Sequence, residues 1–75
     1  MFGISKETAL KVRKQYPVGS RVELIYMNDP YENMPAGLKG TVAGVDDIAT
    51  IHVNWDNGLS LGVCYGEDSC RLIEE

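Results

Sequence analysis

The order of apolar and polar residues divides this chain into a helical beginning and a β-rich remainder. Ala9 and Val12 have the three-residue spacing that places side chains on one face of a helix. Ser5 is a residue type that caps helices, and Pro17 ends one because the residue before a proline avoids the α region. The pattern therefore predicts an α-helix over residues 5–15.

The residues after this helix alternate between apolar and polar side chains, which is the two-residue period of a half-buried strand. Ile51, Val53 and Trp55, for example, are separated by polar residues. Because closure protects the edges of so small a sheet, we expect a mainly β fold, a small five-stranded SH3-like barrel preceded by one N-terminal α-helix. The strands are predicted over residues 21–27, 38–45, 50–55, 59–63 and 71–73.

Glycine, proline and asparagine mark the turns between these strands. Asn57-Gly58 predicts a hairpin with a type I′ turn, because Asn-Gly supplies the positive φ that this turn needs. Residues 28–37 contain two prolines and predict a long loop, which in a compact domain is often functional. Gly40 and Gly44 lie within the second strand, where glycine marks a bend or a close backbone contact.

Three segments of the chain, taken in order, resemble a known family. YPVGSRVELIYMNDPY, PAGLKGTVAGVDD and IHVNWDNGLSLGV are similar to a bacterial and phage-associated domain of unknown function, number forty-three-fourteen, over about residues 16–73. The run from Gly37 to Gly44 also resembles the KOW and Mind-bomb type SH3-like barrels, in which a GxxGTV turn precedes a strand. The resemblance implies the barrel and a mobile-element or phage context, without an assigned biochemical role. KOW barrels often contact RNA, but acids occupy this sheet where those domains usually carry lysines.

The length of the chain, 75 residues, limits it to one domain. We expect residues 1–17 to form a helix packed on or flanking the barrel, which would comprise residues 18–75. A chain this short has a thin core, which leaves little room for an internal cofactor cavity. No apolar stretch approaches the length of a membrane helix, and the N-terminus lacks the features of a signal peptide. We therefore expect a cytoplasmic protein that makes no membrane contact.

Charge is divided unevenly along the chain, although the net charge is only −4. Residues 1–21 carry five cations against Glu7 alone, whereas residues 22–75 carry two cations against ten acids. The first part therefore has a charge of +4 and the second a charge of −8. Such a division either keeps a small protein soluble or provides a basic helix and an acidic body that attract different partners.

The residue types that support catalysis or metal binding are few and poorly spaced. His52 is the only histidine, and Cys64 and Cys70 lie too far apart for the close cysteine pairing typical of structural zinc. A nucleophilic cysteine needs an adjacent base and a third orienting group, of which the sequence gives no sign. We therefore expect free thiols, no metal site, no cofactor and no enzymatic activity.

The leading functional hypothesis is a noncatalytic module that docks a basic protein or peptide surface. Tyr31 lies in the long loop between Asp29 and Glu32, a combination suited to a basic peptide. Trp55 is expected in the core or at its edge, with its indole N–H bonded, and as a lesser alternative on the floor of a groove. The proposed acidic and aromatic surface comprises Asp29, Tyr31, Glu32, Trp55 and Asp56.

Two alternative functions follow from the division of charge. In the first, the acids imitate the phosphates of DNA and inhibit a nucleic-acid-handling enzyme. In the second, the basic helix binds nucleic acid weakly through phosphates, without reading its sequence. The basic surface for this second alternative comprises Lys6, Lys11, Arg13 and Lys14.

Overall fold

The computed structural model describes residues 5–28 and 34–74, and it contains one helix and five strands. The predicted helix and mainly β fold are confirmed, and the bounds of the elements differ from the predicted ones by at most two residues. The elements are α1 (Lys6–Gln15), β1 (Arg21–Tyr26), β2 (Lys39–Val45), β3 (Ile51–Trp55), β4 (Ser60–Val63) and β5 (Ser69–Ile73).

The strands form one antiparallel sheet in the order β4-β3-β2-β1-β5. This order leaves β4 and β5 as the two edges, and no ladder joins them in the part of the chain that the structure describes. The expectation of a closed SH3-like barrel is therefore corrected to an open sheet. The physical reason is that α1 lies against the apolar face, so that face is buried without closure of the strands.

Local sequence explains where α1 begins and which face it buries. The Oγ atom of Ser5 accepts a hydrogen bond from the backbone N–H of Thr8 at 3.1 Å, which is the contact of an N-cap. Ala9 and Val12 are 3% and 6% exposed and belong to the core. The helix thus fixes one layer of a two-layer structure, in which the sheet is the other.

The hairpin between β3 and β4 is confirmed, but its turn is not the predicted type I′ turn. The N–H of Trp55 donates to the carbonyl of Leu59 at 2.8 Å, which encloses a loop of three residues. Only Gly58 in this loop has a positive φ, of +92°, whereas a type I′ turn needs two such residues. The side chain of Asn57 instead accepts the N–H of Leu59 at 3.1 Å and stabilises the longer loop.

The tightest packing in the sheet occurs where Gly40 in β2 lies opposite Trp55 in β3. A Cβ atom added to Gly40 would lie 2.9 Å from the Cε3 atom of Trp55 and 2.6 Å from the Cγ1 atom of Val53. Both of those side chains are buried. Gly40 therefore provides a close backbone contact, which is one of the two roles that the sequence allowed, because any side chain there would displace the tryptophan.

Substitution of Gly40 by alanine tests this contact, and Gly44→Ala in the same strand is its matched control. An added Cβ at Gly44 meets no atom within 4 Å. We expect Gly40→Ala to lower the free energy of unfolding by about 2 kcal/mol, as overpacking of a core does. Gly44→Ala should change it by less than about 1 kcal/mol in either direction. Denaturant unfolding measures both, and equal effects would contradict the tight packing of Trp55.

Candidate functional site

A groove of about 210 Å³ opens between the end of α1 and the turn that joins β4 to β5. It lies where a barrel would have to close, between the two edges of the open sheet. Buried apolar side chains form its floor, and aromatic and thiol groups stand beside them. The residues that characterise it are Val12, Ile51 and Val63 on the floor, with Tyr16, Tyr65 and Cys70 around them.

The turn that carries Tyr65 is held in shape by the carboxylate of Asp68. Its Oδ2 atom accepts the backbone N–H of Cys64 at 2.9 Å, and its Oδ1 atom accepts that of Asn28 at 2.8 Å. Gly66 has a φ of +86°, which allows the chain to reverse tightly. The turn therefore presents Tyr65 at the rim of the groove, where its side chain remains exposed.

Tyr16 and the two cysteines are weakly acidic in this environment. The hydroxyl of Tyr16 donates to the carbonyl of Cys70 at 3.3 Å, and burial raises the pKa of this tyrosine. Burial also raises the pKa of the Cys70 thiol to about 11. The pKa of Cys64 is raised by burial and then by the negative charges of Asp68 and Glu67. Both free thiols therefore stay protonated at neutral pH and are poor nucleophiles.

Ala49 contributes to the groove from a strained position in the turn between β2 and β3. It is buried and has a φ of +61°, a conformation that residues other than glycine rarely adopt. The carboxylate of Asp46 holds this turn: it accepts the N–H groups of Ile48 and Thr50 at 3.0 and 2.9 Å, and it contacts His52 Nε2 at 2.9 Å. The hydrogen bond from Thr50 is the largest cause of the lowered pKa of Asp46.

The acidic and aromatic surface predicted from the sequence is only partly within the described residues. Asp29, Tyr31 and Glu32 lie outside them. Trp55 is a core residue, 3% exposed, and its indole N–H donates to the carbonyl of Leu61 at 3.1 Å, so it offers no surface to a partner. The expected core position of Trp55 is therefore the one it occupies, and not the floor of a groove.

Asp56, the remaining member of that surface, is engaged by Arg21. The guanidinium makes two hydrogen bonds to the carboxylate, at 2.9 and 2.6 Å. These bonds from Arg21 are the main reason why the pKa of Asp56 is lowered. The pair joins β1 to the hairpin turn. It neutralises the carboxylate of Asp56, which the docking hypothesis expected to bind a basic partner.

The predicted basic surface separates into one bound arginine and three exposed lysines. Arg13 donates to the carbonyl of Val45 at 3.2 and 3.0 Å and lies 3.4 Å from Asp47. These hydrogen bonds from Arg13 therefore attach α1 to the end of β2. The side chains of the other members are exposed, and their ammonium groups have no hydrogen bond or ion pair with the described part of the chain: Lys6, Lys11 and Lys14.

Acids of the body are likewise occupied by neighbours in the same chain. Glu23 accepts a hydrogen bond from Arg71 at 2.7 Å across β1 and β5. Asp47 and Asp56 pair with arginines, while Asp46 and Asp68 accept backbone N–H groups, as described above. The excess of acids seen in the sequence is therefore partly neutralised locally, which reduces the number of carboxylates that a partner meets unpaired.

The groove itself is the feature that sequence reasoning missed. Tyr16 and Tyr65 are far apart in the chain, and no local pattern indicates that they line the same groove. The available signal was Tyr65 itself, an aromatic residue in a short turn with a glycine and two acids. Within the described ranges, no group of three His, Cys, Asp or Glu side chains is arranged to hold a metal ion. The helix described is also not long and apolar enough to cross a membrane.

Comparison with known families gives a match over almost the entire chain. A family model with the description Domain of unknown function (DUF4314) matches residues 5–73. The chain belongs to this family. The resemblance noted in the sequence is thereby confirmed for the DUF4314 family. No curated protein matches the chain.

Substitution of Asp46 by alanine tests the support that this DUF4314 domain gives to its groove. Because the pKa of Asp46 is lowered in the folded state, its stabilising effect is complete above the ordinary value of 3.8 and is lost as the pH falls through the folded value. We expect Asp46→Ala to be less stable than the unaltered protein at pH 7, with a smaller difference in strong acid. Thermal unfolding across this pH range measures both.

Asp47→Ala is the control for the Asp46 variant, since Asp47 is fully exposed and its contact with Arg13 is long, at 3.4 Å. Exposed ion pairs of this kind contribute little to stability. An equal loss in the two variants at pH 7, or a loss in Asp46→Ala that does not depend on pH, would contradict the role assigned to Asp46.

Proposed function

We propose that this protein is a noncatalytic docking module that receives an extended, basic segment of a protein partner. The proposed place is the groove between α1 and the β4–β5 turn, and this groove is the observation that carries the proposal. Its floor is apolar, at Val12, Ile51 and Val63, and an exposed tyrosine stands at its rim. Concave, mainly apolar sites with a few placed polar groups are where proteins take ligands.

The charges of the turn between β4 and β5, which borders the groove, support a basic segment rather than an acidic one. Glu67 is exposed, and its carboxylate has no hydrogen-bond or ion-pair partner in the described ranges. Asp68 beside it lines the groove and is bound to backbone N–H groups. The ring of Tyr65 can also receive a cation through its face. Such complementarity steers a basic partner to the site and makes its association sensitive to salt.

The titratable groups of the groove suit docking better than catalysis. Cys70 and Tyr16 have raised pKa values and so remain protonated near neutral pH. His52, the one histidine, is bonded to Asp46 and is not among the residues that line the groove. A nucleophile without an adjacent base has no means of activation.

A second candidate function is weak binding of nucleic acid by the exposed face of α1. The observation that favours it is that Lys6, Lys11 and Lys14 have no ion-pair partner among the described residues. The other alternative, imitation of DNA, is less well supported, because several of the acids are bound within the chain. We therefore do not propose it.

Removal of the ring at Tyr65 tests docking at the groove. The probe is a short, acetylated and amidated peptide in which valine and lysine alternate. We expect Tyr65→Ala to weaken its binding by about tenfold, because the substitution removes an exposed aromatic contact at the rim. Calorimetric titration gives the dissociation constants at low and moderate salt.

The matched control is Tyr26→Ala, since Tyr26 is 56% exposed, Tyr65 is 55% exposed, and Tyr26 does not line the groove. Binding by this variant should be nearly unchanged. A peptide in which glutamate replaces lysine should bind much more weakly. Equal effects of the two tyrosine substitutions, or equal binding of the acidic peptide, would contradict the proposal.

The nucleic-acid candidate is tested with a duplex DNA probe and the double variant Lys11→Glu, Lys14→Glu. If α1 binds phosphates, the unaltered protein should bind the duplex weakly, with an affinity that falls as salt rises and does not depend on sequence. The double variant should no longer bind the duplex, and it should bind the basic peptide as the unaltered protein does. An unaltered protein that does not bind the duplex at low salt would exclude this candidate.

A further inference from the structure

The edge of β4, with which no described strand pairs, adjoins the groove, and we infer that the partner segment binds there as an added β-strand. This inference rests on the proposed docking function and specifies its geometry. The partner would be an extended segment in which apolar and basic residues alternate. It would continue the sheet beyond β4, with its apolar side chains toward the groove.

Hydrogen-bond alternation shows which backbone groups of β4 face outward. Trp55 and Leu59 form a hydrogen-bonded pair at the start of the hairpin. Bonded and non-bonded pairs alternate along an antiparallel ladder, so Leu61 is turned toward β3. The N–H and C=O groups of Ser60 and Gly62 therefore point away from β3, toward the open edge. No described strand pairs with that edge.

The β4 edge lacks the features that usually prevent strand addition. Its sequence, SLGV, contains no charged residue and no proline, and its register with β3 is regular. The missing side chain of Gly62 makes room for Thr50, whose Cγ2 atom would lie 2.5 Å from an added Cβ. The opposite edge, β5, carries Arg71, and its pairing with β1 contains a register shift. Of the two edges, β4 is therefore the one suited to receive a strand.

The position of β4 connects strand addition with the groove. Val63 ends the strand, is buried, and lines the groove floor together with Ile51, its partner in β3. Because side chains alternate across a strand, every second residue of an added strand would lie on this same face. Those residues should be apolar, and they would fill space beside Val63.

The opposite face of the added strand explains the preference for basic residues. His52 is the cross-strand neighbour of Gly62, and it is bonded to the carboxylate of Asp46. Glu67, which is exposed, follows the end of β4. Cations on the outer face of the partner strand would therefore lie near negative charge.

Backbone methylation of the peptide tests strand addition without any change to the protein. The probe is the same alternating valine–lysine peptide, prepared with N-methyl groups on its lysines or, in a second version, on its valines. In an antiparallel alignment with valines toward the groove, the lysine N–H groups face Ser60 and Gly62. The two versions have the same composition and number of methyl groups, so each is the control for the other.

We expect methylation of the lysines to weaken binding by about tenfold or more, because each lost hydrogen bond contributes about 1 kcal/mol. Methylation of the valines should change binding by less than about threefold, because the valine N–H groups face away from β4 and methylation there removes no hydrogen bond to the protein. A loss confined to the valine version would also support strand addition, in a parallel alignment. Equal binding of the two versions, or an equal loss, would overturn it.

Failure of this inference can be told apart from failure of the docking function. If both methylated peptides bind as well as the parent peptide and Tyr65→Ala weakens all of them, docking stands and strand addition is wrong. If the parent peptide does not bind at all, both proposals fail for a segment of this chemistry. In a further case, β4 pairs with a second copy of the chain. Sedimentation of the protein alone detects such a dimer. A stable dimer that the peptide does not dissociate would overturn the inference.

Discussion

The packing of α1 against the apolar face of the sheet is the interaction on which the rest of the structure depends. Ala9 and Val12 complete a core that the five strands alone would leave open to water on one side. Arg13 adds a second attachment through the carbonyl of Val45. Because the helix covers this face, the strands need not close around it. The strands β4 and β5 are therefore not paired with each other, and the groove lies in this open seam between them.

The charged residues are organised by residue type more than by position in the sequence. The arginines are bound within the chain, where a planar guanidinium can make two hydrogen bonds to one acceptor, as Arg21 does with Asp56. The helical lysines remain exposed, as compact, strongly hydrated charges usually do. Formal charge along the sequence therefore overstates the contrast between a basic helix and an acidic body. What remains for partners is smaller and more local: the lysines of α1 and the acids of the β4–β5 turn.

Local patterns in the sequence were sufficient for most of the fold and for little of the candidate site. Ser5 and Pro17 bounded the helix, and alternation around Ile51 and Val53 placed a strand and its buried face. The predicted type I′ turn at Asn57 was wrong, because the hydrogen bond between the side chain of Asn57 and the N–H of Leu59 favours a three-residue loop. The predicted closure of the sheet into a barrel was also wrong. Alternation shows which face of a strand is buried, and it does not show which element covers that face. The groove depends on contacts between distant residues, such as Tyr16 and Cys70, which no local pattern contains.

The most direct test of the open sheet is amide hydrogen exchange along β4 in dilute protein without peptide. If the seam is open, the amides of Ser60 and Gly62 have no acceptor and should exchange rapidly. The amides of Leu61 and Val63, turned toward β3, should exchange far more slowly. Protection of Gly62 equal to that of Leu61 would mean that another strand covers this edge, and the open seam would be contradicted.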